Sequence, residues 1–267
     1  MGWTNPKPVP FARRVMLRLS RLIGSNYHRR GPKTKILLVS LHKSGTHLVR
    51  KVLELTGLER IAVRECNPSD FHGLAPNQYL ATHSPFGRGM YGAIEDRQVK
   101  VIFNFRDPRD VCVSKLHYQH PNNDRKLDPR NEFLKNVFGH ACKDDDERLD
   151  AIIRGEQYIP HMYIMGEQFR VFRGLLFHPH VHKARFEDLI GPQGGGDVER
   201  QLESVRALFE YLEFDVDPES IARQAFDNKS ETFRKGQIGQ WRHTFKQRHI
   251  DLFNQLHGDL LRDYDYE

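Results

Sequence analysis

Short apolar runs, each emptying into a turn of small or charged residues, set the pattern of this chain. Ile36 to Val39 is continuous, and Val101 to Phe105 is broken only by Asn104. Runs this short and this uniformly apolar predict strands buried on both faces. After the first, Leu48, Val49, Val52, Leu53 and Leu55 follow at helical spacing; after the second, a helix carries Val111, Val113, Ser114 and Leu116. The pattern therefore predicts strand–helix units over 35–56 and 100–118, with a further strand around 79–82. Helices are expected at about 131–140, 145–154 and 160–175. A strand at 180–186 then ends in Glu187-Asp188-Leu189. Val198, Leu202, Val205, Leu208 and Leu212 mark a clear amphipathic helix. Strands alternating with helices imply an α/β fold: a central parallel sheet flanked by helices on both faces. Ligands in such sheets bind beyond the carboxyl ends of the strands.

The chemistry gathers at those ends. The first strand runs into Lys43-Ser44-Gly45-Thr46-His47 and so into a helix N-terminus. The first amides of a helix lack internal partners, so they point at whatever occupies the turn, and Lys43 adds a full charge. Gly45 lets the backbone approach an oxygen closely. The lysine precedes the glycine, and the string GxxxxGK[ST] of nucleotide triphosphatases is absent from the sequence. This is a phosphate- or sulfate-type cradle of another kind. The second strand ends in Arg106-Asp107-Pro108-Arg109-Asp110, with Ser114 eight residues after Arg106 and placed to face the same strand end. Pro108 suits a first helical turn. A third element is the basic, glycine-broken loop Arg234-Lys235-Gly236-Gln237-Ile238-Gly239-Gln240-Trp241.

With these three motifs, in this order, the chain resembles the soluble sulfotransferases that use 3′-phosphoadenosine-5′-phosphosulfate (PAPS). The likeness covers roughly residues 35 to 245. It implies one sulfotransferase domain over 34–267, of the fold related to P-loop kinases, with PAPS as cosubstrate and 3′-phosphoadenosine 5′-phosphate (PAP) as product. It implies that Lys43, Ser44, Gly45, Thr46 and His47 hold the 5′-phosphosulfate, Lys43 stabilising charge on the bridging oxygen. Arg106 with Ser114, and Arg234 with Lys235 and Gly236, would grip the 3′-phosphate, arginine offering a planar fork matched to phosphate. Phe226 lies where the family keeps an aromatic against adenine, and Trp241 packs to shape the basic loop. The family places its base in a Lys-Thr-His-x-Pro turn after a strand. Tyr79-Leu80-Ala81-Thr82-His83-Ser84-Pro85 matches it, with Ala81 where the family has lysine. His83 is then the general base that removes the acceptor's hydroxyl proton, and Lys43, His83 and Ser114 form the catalytic set. Leu48 replaces a frequent tryptophan of the family, and His42 and His47 stand where it has proline and threonine.

Composition adds bounds. Lys and Arg number 41 against 35 Asp and Glu, a net charge of +6 that fits an anionic ligand. Cys66, Cys112 and Cys142 lack paired or metal-type spacing, which favours a reduced, cytoplasmic setting, with Cys112 read as a buried thiol. No metal site is expected. Residues 1–53 contain no Asp or Glu, while Phe11, Val15, Leu19 and Leu22 share one helical face. This basic segment, residues 1–33, reads as an amphipathic helix in peripheral contact with anionic lipid, as a transit-type leader, or as a solvated terminal helix. Gly87-Arg88-Gly89-Met90-Tyr91-Gly92 fits GxGxxG, but only Ala93 to Gln98 precede the next strand, so it reads as a loop near His83. Gly194-Gly195-Gly196 reads as a loop tip, and Arg109 with Asp110 as an ordinary surface pair. Two other readings stand beside sulfuryl transfer: a kinase of related fold, which needs a metal-holding carboxylate, and a basic nucleic-acid binder. On the favoured reading nucleic acid is no partner. The acceptor is a hydroxyl of a small molecule or glycan, with a lean toward polar, sugar-like compounds because the surrounding loops are polar and rich in histidine. Oligomeric state is left open.

Overall fold

The computed structural model describes residues 35–63, 66–84, 86, 89–124, 127, 129–155, 165–226 and 236–267. The predicted 1–33 segment, Arg234 and Lys235 lie outside them. In chain order the elements are β1 (Lys35–Ser40), α1 (Thr46–Leu55), β2 (Glu59–Ala62), β3 (Gln78–Thr82), α2 (Met90–Glu95), β4 (Val99–Phe105) and α3 (Pro108–Tyr118). They continue with α4 (Pro129–Ala141), α5 (Asp145–Arg154), α6 (Met165–Val171), α7 (Arg173–Phe177), β5 (Val181–Arg185) and α8 (Phe186–Leu189). The chain closes with α9 (Val198–Leu212), α10 (Pro218–Ala225), α11 (Trp241–Thr244) and α12 (Gln247–Asp263). The five strands form one parallel sheet in the order β2-β3-β1-β4-β5.

Period-two alternation divides the core between the sheet's two faces. Leu37, Val39, Val101 and Phe103 join one apolar cluster with α3, α5 and α12. Ile36, Leu38, Ile102 and Ala184 join the other with α1, α9 and α10. Polar side chains cap several of the helix starts. Asp107 accepts the Arg109 amide at 2.8 Å ahead of Pro108, and Asp197 accepts the amides of Glu199 and Arg200 at 2.9 Å. Such caps contribute about 1 kcal/mol each.

The layout places a crevice. α1 leaves β1 across one face toward β2, whereas α3 leaves β4 across the other toward β5. The carboxyl ends of β1 and β4 are neighbours from which the chain departs in opposite directions, the position where open parallel sheets bind ligands. Three expectations needed revision. Of the helix predicted over 160–175, the part from residue 165 is divided into α6 and α7, and residues 160–164 lie outside the described residues. The four-residue edge strand β2 and the long C-terminal α12 were not predicted. The GxGxxG string, read as a loop, runs into a helix of only six residues, α2, which is capped by Gly89 and takes in Gly92.

Candidate functional site

The turn after β1 is tightly determined. Ser44 donates its amide to the Leu41 carbonyl at 3.3 Å, and Leu48 donates to the Gly45 carbonyl at 2.9 Å. Lys43 sits at φ 67°, a left-handed backbone that costs a non-glycine residue about 1–3 kcal/mol and marks functional turns. Its ammonium lies 3.5 Å from the centroid of Tyr118, the last residue of α3. Gly45 has φ 80°, and a Cβ there would stand 2.2 Å from Cδ2 of Phe186, so no larger residue fits. Below the turn, Ser40 Oγ and Thr46 Oγ1 share a hydrogen bond of 2.7 Å. The Asn104 side chain donates to Ser40 Oγ at 2.8 Å and to the Ser44 carbonyl at 3.1 Å. Asn104, the one polar residue of its strand run, thus ties β4 to the cradle.

His83 is held beside this turn. Its Nδ1 lies 2.6 Å from the Ser40 carbonyl. A carbonyl only accepts, so Nδ1 carries the hydrogen and Nε2 keeps its lone pair, the tautomer a general base requires. The His42 ring stacks on it with centroids 4.6 Å apart. Burial, with the nearby Arg60 and Arg50 cations, pushes the His83 pKa below 6.5, and the bond to Ser40 only partly offsets this. His47 is lowered by burial and by Arg50, Arg60 and Lys43.

On the other side of the crevice Arg106 is 8% exposed and stacks 4.4 Å above the Phe186 ring. Its guanidinium donates to Asp110 Oδ2 at 3.2 Å and to the Gln237 carbonyl at 2.7 Å. Asp110 is the residue whose role the sequence concealed. It is 1% exposed and accepts the amides of Gly239 at 2.8 Å and Trp241 at 2.9 Å. Arg106 and Asp110 therefore clamp the C-terminal loop to β4 and α3. Arg109 and Asp110 are not a surface pair: Arg109 bonds Asp107 and the Tyr266 carbonyl and lies 4.0 Å above the Trp241 ring. Gly194 is no loop tip either. It is buried, its carbonyl accepts the Ile238 amide at 3.0 Å, and a Cβ on it would reach within 2.4 Å of the Gly236 carbonyl.

Ser114 is half-buried in α3, and Phe226 packs half-buried on the α1–α9–α10 core, as does Ile238. Glu187, at the end of β5, completes the frame: it accepts the Asp107 amide at 3.0 Å and the Tyr266 hydroxyl at 2.7 Å. The three cysteines are buried and form no disulfide. Among the described residues three buried polar atoms at the crevice have no partner, Ser44 Oγ, Asn104 Oδ1 and Arg106 Nε. The hydroxyl and the guanidinium nitrogen can donate, the complement of an anionic ligand, so the residues present fit PAPS.

No family model matches the chain. A curated relative, cytosolic sulfotransferase 15 of Arabidopsis thaliana, is 25% identical over 217 residues, taking in 72% of this chain and 54% of the relative. The chain thus spans about half the length of the curated relative it matches. Among solved structures it is similar to mouse sulfotransferase SULT7A1 complexed with PAP, with a TM-score of 0.59 and 19% identity. That match covers 92% of this chain and 91% of the other. It is also similar to retinol dehydratase in complex with androsterone and the inactive cofactor PAP, with a TM-score of 0.57, 14% identity, and 92% and 86% of the two chains covered. No helix among the described residues is long and apolar enough to cross a membrane. The chain has the fold of the PAPS-dependent sulfotransferases, and in its sequence it resembles their soluble, cytosolic type.

Proposed function

We propose that the protein transfers the sulfuryl group of PAPS to the hydroxyl of a small-molecule or glycan acceptor, in the cytoplasm, with His83 as general base. The observation that carries this reading is the His83–Ser40 hydrogen bond. It presents an unprotonated Nε2 beside the cradle at Lys43-Ser44-Gly45-Thr46. The alcohol must lose its proton as its oxygen attacks sulfur, and Nε2 receives that proton. PAPS supplies the sulfuryl group with PAP as leaving group. Lys43, Ser44, Gly45, Thr46 and His47 hold its 5′ end, with Lys43 and the α1 amides supporting charge on the bridging oxygen. Arg106, Ser114, Arg234, Lys235 and Gly236 take the 3′-phosphate, and Phe226 lies against the base. The peripheral lipid contact of residues 1–33 belongs to this proposal as a separate element.

Cofactor choice tests the reading directly. PAP should bind more than about tenfold tighter than adenosine 5′-phosphate, because one charge-assisted phosphate contact is worth about 1.5–3 kcal/mol. Calorimetry showing equal affinities would end the assignment, and stabilisation by ATP or a DNA oligomer but not PAP in a thermal-shift plate would replace it. Turnover should also persist in excess EDTA, since Lys43 and helix amides supply the positive charge. A complete loss of activity restored by magnesium would instead favour phosphoryl transfer.

A further inference from the structure

Beside His83, on the side away from Arg106, lies a cavity of about 90 Å³ between β1, β3, the edge strand β2 and the first turn of α1. Its floor is apolar and includes Leu38 and Ala81. Its polar groups are Thr46, Thr82, His83 and Arg60. Arg60 comes from β2, where it stands opposite Tyr79 of β3. Among the described residues Arg60 has no carboxylate within ion-pair distance; Arg50, one turn beyond His47 on α1, is bonded to Glu54 at 3.3 Å. Arg50 is close enough to disfavour the charge of Arg60, both arginines disfavour that of His47, and Tyr79, wholly buried, lies among the same groups. Two neighbouring arginines, of which only Arg50 has a carboxylate partner among the described residues, call for an anion at Arg60.

That anion has a place in the reaction. The cradle at β1 and Arg106 at β4 mark the cofactor's side of the sheet, and Lys43 and the α1 amides already supply positive charge there. Arg60 stands two strands from β1 in the opposite direction, with His83 on β3's end between the two. A molecule entering from the β2 side meets Arg60 first and His83 next. We infer that the preferred acceptor is a hydroxylated acid, whose carboxylate or comparable anionic group docks on Arg60 and so delivers the hydroxyl to His83. The inference rests on the sulfotransferase reading above and narrows its substrate class.

Matched acceptor pairs test it on the full chain: glucuronate against glucose, and 4-hydroxybenzoate against phenol, each with PAPS. The acidic member of at least one pair should be favoured in kcat/KM by about ten- to hundredfold, the worth of one charge-assisted contact. Arg60→Gln should abolish that preference, chiefly through KM for the acid. Calorimetric binding of PAP measures the cofactor site separately. Tight PAP binding together with equal use of acid and neutral acceptors would overturn this inference and leave the sulfotransferase reading intact. Failure of PAP to bind would overturn both. If Arg60→Gln lowers turnover of acidic and neutral acceptors by the same factor, the guanidinium serves the transferring group and the acceptor assignment is wrong. A titration of the PAP complex with 4-hydroxybenzoate, weakened at least about tenfold in Arg60→Gln, gives the same answer without turnover.

Discussion

Replacing His83 with alanine is expected to lower kcat roughly 10²–10⁴-fold while PAP binds as before. The reason is geometric. The ring is anchored through Nδ1 to the Ser40 carbonyl, so its work is done by Nε2 on the acceptor's proton, while the cradle that holds PAP is built from other residues. Lys43→Ala should behave differently and lose both PAP affinity and turnover, since Lys43 is part of the cradle itself. Misfolding would damage every property together, so the contrast between the two variants separates chemistry from structure. The pH profile adds a check with a definite sign. Only the neutral imidazole can accept a proton, and that form is lost as pH falls through the pKa. Burial and two nearby arginines hold the pKa below 6.5, so the acid limb of kcat/KM should fall below pH 6.5 and vanish in His83→Ala. Near-normal turnover of His83→Ala would transfer suspicion to His42, stacked on the same ring.

The second large effect is on stability. Asp110→Ala should cost about 3–5 kcal/mol, a fall in Tm of about 10 °C for a domain of this size. The carboxylate is buried against Arg106 and is the acceptor for two backbone amides of the C-terminal loop. Its loss leaves a buried guanidinium without its counter-charge and two amides without their acceptor at one stroke. PAP affinity should fall as well, because Arg106 and the loop lose their common anchor. Asp188→Ala is the control: its 3.9 Å pair with an exposed Arg200 should be worth less than about 1 kcal/mol. Thermal unfolding of Asp110→Ala within about 2 °C of the parent would show that the clamp is unimportant.

Much of this arrangement is legible along the chain. Strand, small-residue turn and helix are contiguous in both β1–α1 and β4–α3, so the cradle and the Arg106–Ser114 pair could be read from local pattern. Ala81-Thr82-His83 could be placed at a strand end in the same way. The partners of these residues could not. Asp110 lies 129 to 131 residues from the amides it accepts, and nothing in Arg109-Asp110 distinguishes a buried anchor from a surface carboxylate. Gly194 shows its role only when Ile238 and Gly236 are laid against it. β2 escaped notice because an edge strand with the burial of Glu59–Ala62 has no apolar run to announce it.

By itself, then, the sequence determined the parallel α/β class, the turns here proposed to hold anions and the histidine at a strand end. Those depend on periodicity and turn chemistry within about a dozen residues. Only the tertiary structure decided the tautomer of His83, the clamp of Asp110 on the distant loop, and the meeting of Arg60 with His83 across one cavity. A hydrogen-bond partner or a shared cavity wall is chosen by strand order, and strand order is set by burial of the whole sheet rather than by any local run.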